Sequence, residues 1–313
     1  MEKRILFEMN ALYRDDFRIT GFSFGKGEKA VCIVGSMRGN ENQQLYCCSR
    51  LIRKLKELEE QGCLKEGKEI LVIPCANSYS MNIRKRFWSI DNTDINRMFP
   101  GYSEGETTQR IAGGIFEVIK DYSYGIQFAS FYMPGKFVPH IRIMKTGFED
   151  VELAEKFGFP YIVLHTPRPF DVTTLNYNWQ LWDTKAFSVY TTSTEQIDKV
   201  SARQAVEGIL GFLAKEGILD YRGFEGYVSK VVSTEEMVTV RTKTAGFFEG
   251  KVKPGEHVRK GELLACIVDC YEGIAIDEIH APVEGTILFA HDEAKAYQNT
   301  AVYKIIKESQ ERR

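Results

Sequence analysis

Apolar positions in the first two hundred residues follow two alternating periodicities. Runs at 30–35 (AVCIVG), 69–74 (EILVIP), 124–129 (YGIQFA), 161–165 (YIVLH) and 187–191 (FSVYT) are short, continuous and rich in β-branched residues, as expected of strands covered on both faces. Between the first two, Leu45, Cys48, Ile52, Leu55 and Leu58 recur at three- and four-residue spacing, which predicts a helix stopped by Gly62. Lys54, Lys56, Glu57, Glu59 and Glu60 form its solvated face. A second helix is predicted over 198–216, with Ala205, Ile209, Phe212 and Leu213 on one side and Gly217 at its end. Strands alternating with helices predict an α/β domain built on a mostly parallel sheet.

The texture changes after 221–227 (YRGFEGY), where helical periodicity gives way to short strands, frequent Gly and paired turn residues. Two domains are therefore expected, 1–222 and 223–313. Segments 242–269 and 279–306 read as two copies of one unit, which predicts a compact all-β sandwich with quasi-twofold symmetry. This pattern resembles the barrel-sandwich fold of biotinyl and lipoyl carrier domains. Such carriers need a Lys at the tip of the central hairpin, and 269–278 (DCYEGIAIDE) has none, so a structural or substrate-capping module is expected.

Charge narrows the function classes. The 41 Lys and Arg against 43 Asp and Glu leave a formal net charge of -2, which provides no general attraction to nucleic acid or anionic lipid. No apolar run approaches the roughly 18 to 20 residues of a membrane span, and Glu8 interrupts the opening apolar stretch, so no signal peptide and a cytoplasmic location are expected. The seven cysteines are odd in number and mostly lie within apolar runs, consistent with buried reduced thiols; the Cys266 and Cys270 pair lacks a second pair at zinc-ribbon spacing. Self-association into a homo-oligomer stays open.

Candidate chemistry concentrates in two loops. The first strand runs into Gly35-Ser-Met-Arg-Gly-Asn-Glu41 at the start of the long helix, where ligands of parallel sheets bind. Asn77 and then 86–101 (RFWSIDNTDINRMFPG) follow the next strand. A stretch this dense in Arg, Asn and Asp reads either as a network of loop-fixing bonds or as a carboxylate site, since Arg offers a bidentate fork and Asn an amide donor.

These motifs resemble the succinylglutamate desuccinylase/aspartoacylase family, relatives of the zinc carboxypeptidases. The family has a Gly-x-His-Gly-Asp/Asn-Glu loop, an Arg-x-x-Pro-x-Asp-Gly-x-Asp-Leu-Asn-Arg-x-Phe-Pro-Gly loop and a C-terminal β-domain. Arg86, Asp91, Asp94, Asn96, Arg97, Phe99, Pro100 and Gly101 fit the second motif. The resemblance implies a zinc-carboxypeptidase-like α/β fold with a smaller β-domain, and hydrolysis of an amide beside a free carboxylate in an N-acyl amino acid or small peptide. It implies that Arg86, Asn96 and Arg97 bind the substrate carboxylate and polarise the scissile carbonyl.

It also implies zinc, held by a His and a Glu in the first loop and a His after the third strand. Here the Glu is Glu41, the first His position is Arg38, and the second is Gln127. Arginine has no lone pair for a metal and Gln has only a neutral amide oxygen. A guanidinium at Arg38 can instead pair with Glu41 where the dication would sit. The family's general base, a Glu late in the domain, corresponds to Tyr190 or, after a short shift, to Glu195. His140 and His165 lie near strand ends as further ligand or base candidates, Arg168 as another cation, and 128–135 and 176–182 as aromatic pocket walls or loop packing. Two functions stay open: a zinc-type deacylase with compromised metal chemistry, and an inactive carboxylate-binding sensor or scaffold.

Overall fold

The computed structural model describes residues 1–308 except 14 and 224. The chain groups into two compact units, Met1–Ser130 with Pro139–Val231, and Phe131–Val138 with the chain from Val232 onward. The first unit contains β1 (Glu2–Met9), β2 (Phe17–Phe24), β3 (Glu28–Ser36), α1 (Asn42–Glu60), β4 (Lys68–Cys75), α2 (Ser78–Asn82), α3 (Thr107–Ile119) and β5 (Tyr124–Ala129). A short β6 (Gly135–Phe137) belongs to the second unit, after which the first resumes with β7 (His140–Met144), α4 (Val151–Glu155), β8 (Tyr161–His165), α5 (Leu175–Leu181), β9 (Lys185–Tyr190) and α6 (Lys199–Lys215). Strand β10 (Lys230–Ser233) closes the large sheet at the junction of the two stretches.

That sheet has nine strands in the order β1-β2-β4-β3-β5-β9-β7-β8-β10. The pairs β4/β3, β3/β5, β5/β9 and β7/β8 are parallel, whereas β1, β2 and the β7/β9 contact are antiparallel. The mostly parallel α/β reading holds, and all five strands read from continuous apolar runs are present. Their side chains alternate between two cores. Val31, Ile33, Ile126, Phe187 and Val189 meet the faces of α1 and α6 given by Leu51, Leu55, Ile209 and Phe212. Cys32, Val34, Leu71 and Ala186 meet α3 and α5 through Ile111, Ile115 and Trp179 on the other side. Each such fully buried Leu, Ile or Phe contributes about 1.5 to 3 kcal/mol. Trp179 closes tightly on β5: a Cβ at Gly125 would lie 2.6 Å from its ring, and its Nε1 donates to the Ile119 carbonyl at 3.1 Å.

The second unit completes the chain with β11 (Met237–Arg241), β12 (Gly246–Gly250), β13 (His257–Val258), β14 (Leu263–Val268), β15 (Ala275–His280), β16 (Gly285–His291), β17 (Lys295–Ala296) and β18 (Ala301–Lys307). It forms two antiparallel sheets, β11-β18-β16-β13 with β6 added to β16, and β15-β14-β12-β17. The repeat seen in the sequence has a structural counterpart. β12 pairs with β14 and β16 with β18, while β13 of the first copy joins the sheet of the second and β17 of the second joins the sheet of the first. The hairpin between β14 and β15 turns at Asp269, whose side chain accepts from the backbone N–H of Tyr271 and Glu272 at 2.8 Å each. Among the described residues no helix is long and apolar enough to cross a membrane, and all seven cysteines are free thiols.

Candidate functional site

The two motif loops meet at the carboxyl end of the sheet. β3 ends at Ser36, whose hydroxyl lies 3.0 Å from the Arg38 carbonyl and 3.1 Å from that of Glu41, folding the first loop back before α1 begins. Gly39 is where the loops touch: its N–H donates to the Arg86 carbonyl at 3.0 Å, and a Cβ there would lie 2.1 Å from the Lys85 carbonyl oxygen. Asn77 caps α2 by accepting from Ser80 N–H and donates its amide to the Met37 carbonyl at 3.3 Å. In the second loop Asp94 starts a single 3-10 turn over Ile95–Arg97, with one carboxylate oxygen on the Asn96 N–H at 3.0 Å. Its other oxygen is free to face the first loop.

Arg38 fills that position. Its guanidinium is 5% exposed and donates from Nη1 to Glu41 Oε1 at 2.9 Å and from Nε and Nη2 to Asp94 Oδ2 at 3.0 and 2.9 Å. Glu41, 1% exposed, receives four donors: Arg38 and the Ser130 hydroxyl on Oε1, and the backbone N–H groups of Met37 and Arg38 on Oε2 at 2.7 and 3.0 Å. Burial opposes the Arg38 charge, but Asp94 and Glu41 outweigh it and raise its pKa, so it is permanently protonated. Arg86 is different. It is half-buried, stands over the Phe87 ring at 5.8 Å and has no carboxylate partner among the described residues. Burial, and then the repulsion of Arg38, lower its pKa.

The other predicted residues divide. Asn96 is buried, with its side-chain oxygen accepting from Leu175 N–H at 3.2 Å and its amide nitrogen left without a protein acceptor among the described residues. Arg97 donates to the Phe170 carbonyl at 2.6 Å and to Asp171 Oδ1 at 3.1 Å. Burial would raise the Asp171 carboxyl, but bonds from His165, the Arg168 N–H and Arg97 hold it well below the usual carboxylate range. His165 is thus committed to Asp171 at 2.9 Å, and His140 is buried and stacked on Tyr190 at 4.7 Å. Tyr190 is buried at the end of β9. Glu195 is exposed and accepts from the Asn40 amide at 2.9 Å, beside the first loop.

Asp91 of the second motif binds Thr93, Thr107 and Thr108 and anchors the start of α3. Arg84 and Lys85 are exposed. Phe131 and Tyr132, within the 128–135 aromatic stretch, pack in the second unit, Phe131 against Phe137 and Phe289. Sequence reasoning passed over Asp171 and Arg142, and took in Ser130 and Asn176 only as members of the 128–135 and 176–182 stretches. Ser130 was within reach of it, since it directly follows a strand at the ligand-binding end of the sheet. A surface cavity of about 580 Å³ is lined by Pro100 and Gly101 of the second motif and by Trp182 of the 176–182 stretch, together with Tyr102, Arg110 and Gly114, but by none of the candidate catalytic, carboxylate-binding or metal residues.

A mostly parallel α/β sheet carrying an arginine-rich loop pair at its carboxyl end, followed by a small β unit, is a deacylase-type scaffold. The chain belongs to the succinylglutamate desuccinylase/aspartoacylase family: the model of that family's catalytic domain matches residues 27–214. A curated relative, the N-alpha-acetyl-L-2,4-diaminobutyric acid deacetylase of Halomonas elongata, is 23% identical over 86% of this chain and 79% of its own. A succinylglutamate desuccinylase from Silicibacter sp. TM1040 superposes with a TM-score of 0.81 at 18% identity, covering 98% of this chain and 95% of that one. The product-bound ectoine utilization protein EutE (DoeB) of Ruegeria pomeroyi gives 0.80 at 19% identity, covering 94% and 90%.

The residues present do not fit the zinc ion that the family resemblance implies. Both Glu41 oxygens are filled by donors, Arg38 is a cation, and the Gln127 amide oxygen accepts from Asn176 Nδ2 at 2.7 Å. A ligand set reduced to one occupied carboxylate cannot displace zinc's water shell. Elsewhere, His257, Glu284 and Glu308 cluster on the surface of the second unit, where His257 lies 3.1 Å from Glu308 and 3.9 Å from Glu284, ordinary ion-pair contacts.

Proposed function

We propose that this protein binds a small N-acylated amino acid or peptide through its free carboxylate, without hydrolysing it by metal-activated water. One observation carries this reading: Arg38 engages both Glu41 and Asp94, leaving Arg86 a half-buried guanidinium with no ion-pair partner among the described residues. An unpaired cation in such a place favours an incoming carboxylate, which gains charge-assisted bonds that no side chain competes for. The open amide nitrogen of Asn96 supplies a second donor, and Arg97, fixed by Asp171 and Phe170, a third. The ligand class is supported by family membership and by the acylated amino acid named for the Halomonas relative.

Turnover lacks its parts. The Ser130 hydroxyl donates to Glu41, but three other donors, one of them the Arg38 guanidinium, stabilise that carboxylate as the anion and make it a weak base. Tyr190 occupies one of the two positions considered for a base and carries no carboxylate, and Glu195 is exposed. Calorimetric titration with N-acetyl amino acids, followed by proton NMR for released acetate, tests the reading. Binding is expected without acetate release, and Arg86→Gln should weaken it about 10- to 100-fold. Acetate release that a chelator abolishes would refute it.

A further inference from the structure

The cavity beside α3 lies wholly within the first unit, and one face of that helix helps to build it. Arg110, Gly113, Gly114 and Glu117 all line it, and their three- and four-residue spacing puts them in a single stripe. Glycine is the poorest helix former after proline, yet two stand side by side in the middle of this stripe. Close approaches account for both. A Cβ at Gly113 would lie 3.2 Å from the Tyr102 nitrogen, and one at Gly114 would lie 2.2 Å from the Phe7 ring. With no side chains there, the middle of the stripe is bare, and the concavity of about 580 Å³ is of the size that holds a small molecule.

The remaining lining is largely aromatic. Phe116 is buried and meets Trp182 edge to face at 5.2 Å. Trp182 and Tyr102 are 45% and 55% exposed, whereas Trp88 and Trp179 are fully buried, so two large rings stay partly wet in a concave place. A flat apolar body covering them would take that surface out of water. Opposite charges stand at the two ends of the stripe, about 10 Å apart along the helix axis. They are not equivalent. Glu117 is held by Lys120 at 2.8 Å, while the Arg110 side chain has no ion-pair or hydrogen-bond partner among the described residues. The uncompensated charge of the cavity is therefore positive, and a guanidinium fork matches a carboxylate.

We propose that this cavity is a second ligand site, separate from the carboxylate pocket, and that it takes a small aromatic carboxylate. The ring system covers Tyr102 and Trp182, and the carboxylate pairs with Arg110. Arg86 has no part in it, so this site stands or falls apart from the function proposed above.

The test is an NMR titration of the full chain, isotope-labelled at the tryptophan indole nitrogens, with naphthoate and with its neutral analogue naphthamide. Of the three indole signals only that of Trp182, assigned with Trp182→Phe, should move. Naphthoate should bind about tenfold or more tighter than naphthamide. Arg110→Gln should bring that ratio to about one, and Trp182→Ala should weaken both compounds about tenfold. Both positions are exposed, so neither change removes a core contact, and Arg86→Gln should leave naphthoate affinity unaltered. A Trp182 signal that stays still at millimolar naphthoate, or equal wild-type affinities for the two compounds, would overturn the proposal. Naphthoate binding lost in Arg86→Gln but kept in Arg110→Gln would place the compound in the carboxylate pocket instead. A Trp182 signal that shifts with protein concentration alone would assign the cavity to a second copy of the chain, and the proposal would fail.

Discussion

Replacing Arg38 by Met tests the centre of the site most directly. The substitution keeps an unbranched side chain, though a shorter one, and removes the one cation shared by two carboxylates, of which Glu41 is 1% exposed. Breaking a buried pair by removing one partner costs about 3 to 5 kcal/mol, because the remaining charge stays desolvated. For a unit of this size, about 2 to 4 °C of Tm accompanies each kcal/mol, so melting should fall by about 6 to 20 °C. Urea unfolding followed by circular dichroism and by tryptophan fluorescence measures the loss and checks that one transition is being read. Adding Glu41→Gln should recover part of it, since Gln can still accept from Met37 N–H and no longer carries charge. The double-mutant cycle should therefore give a coupling of about 1 to 3 kcal/mol. A loss below about 1 kcal/mol for Arg38→Met, or strict additivity in the cycle, would refute the view that Arg38 neutralises this pocket.

Three further outcomes follow from the same geometry. Asp171 has a folded pKa below its unfolded value, so its contribution is fully present above about pH 5 and is lost as pH falls through the folded value. Asp171→Asn should flatten the acid limb of a stability-against-pH curve and release Arg97, weakening ligand binding; an unchanged acid limb would contradict the assignment. Elemental analysis of the purified protein should find zinc well below one per chain, and a chelator should leave ligand affinity unaltered; one zinc removed by Glu41→Gln would reverse this conclusion. Gly101→Ala should be strongly destabilising, by more than about 3 kcal/mol in urea, because its φ is 95° and a Cβ would lie 2.0 Å from the Gly113 nitrogen.

The central strands were legible because they are covered on both faces and must be apolar throughout: 124–129 and 161–165 coincide with β5 and β8 residue for residue. β1 and β2 were not, since they form the antiparallel edge of the sheet. Their inward positions are interrupted by exposed Glu2, Lys3, Glu8 and Arg18, so no continuous run marks them. β7 escaped for another reason: Arg142 interrupts its five residues, and a charge within so short a strand reads as loop. In the site, Arg38 and Glu41 are three residues apart and could be paired by inspection. Asp171 lies 74 residues from Arg97, and Asn176 lies 49 from Gln127. Only the strand order brings such residues together, and a single sequence does not state that order.

The exchange of β13 and β17 between the two halves of the second unit has a consequence for how that unit can be made or divided. Each half supplies the last hydrogen-bonding edge of the other's sheet. Expressed alone, either half would lack a closing strand and expose a row of unsatisfied backbone donors and acceptors, the situation in which strands recruit one another between chains. Two separated halves should therefore be insoluble apart and recover only when mixed, behaving as reciprocal chaperones written into one polypeptide.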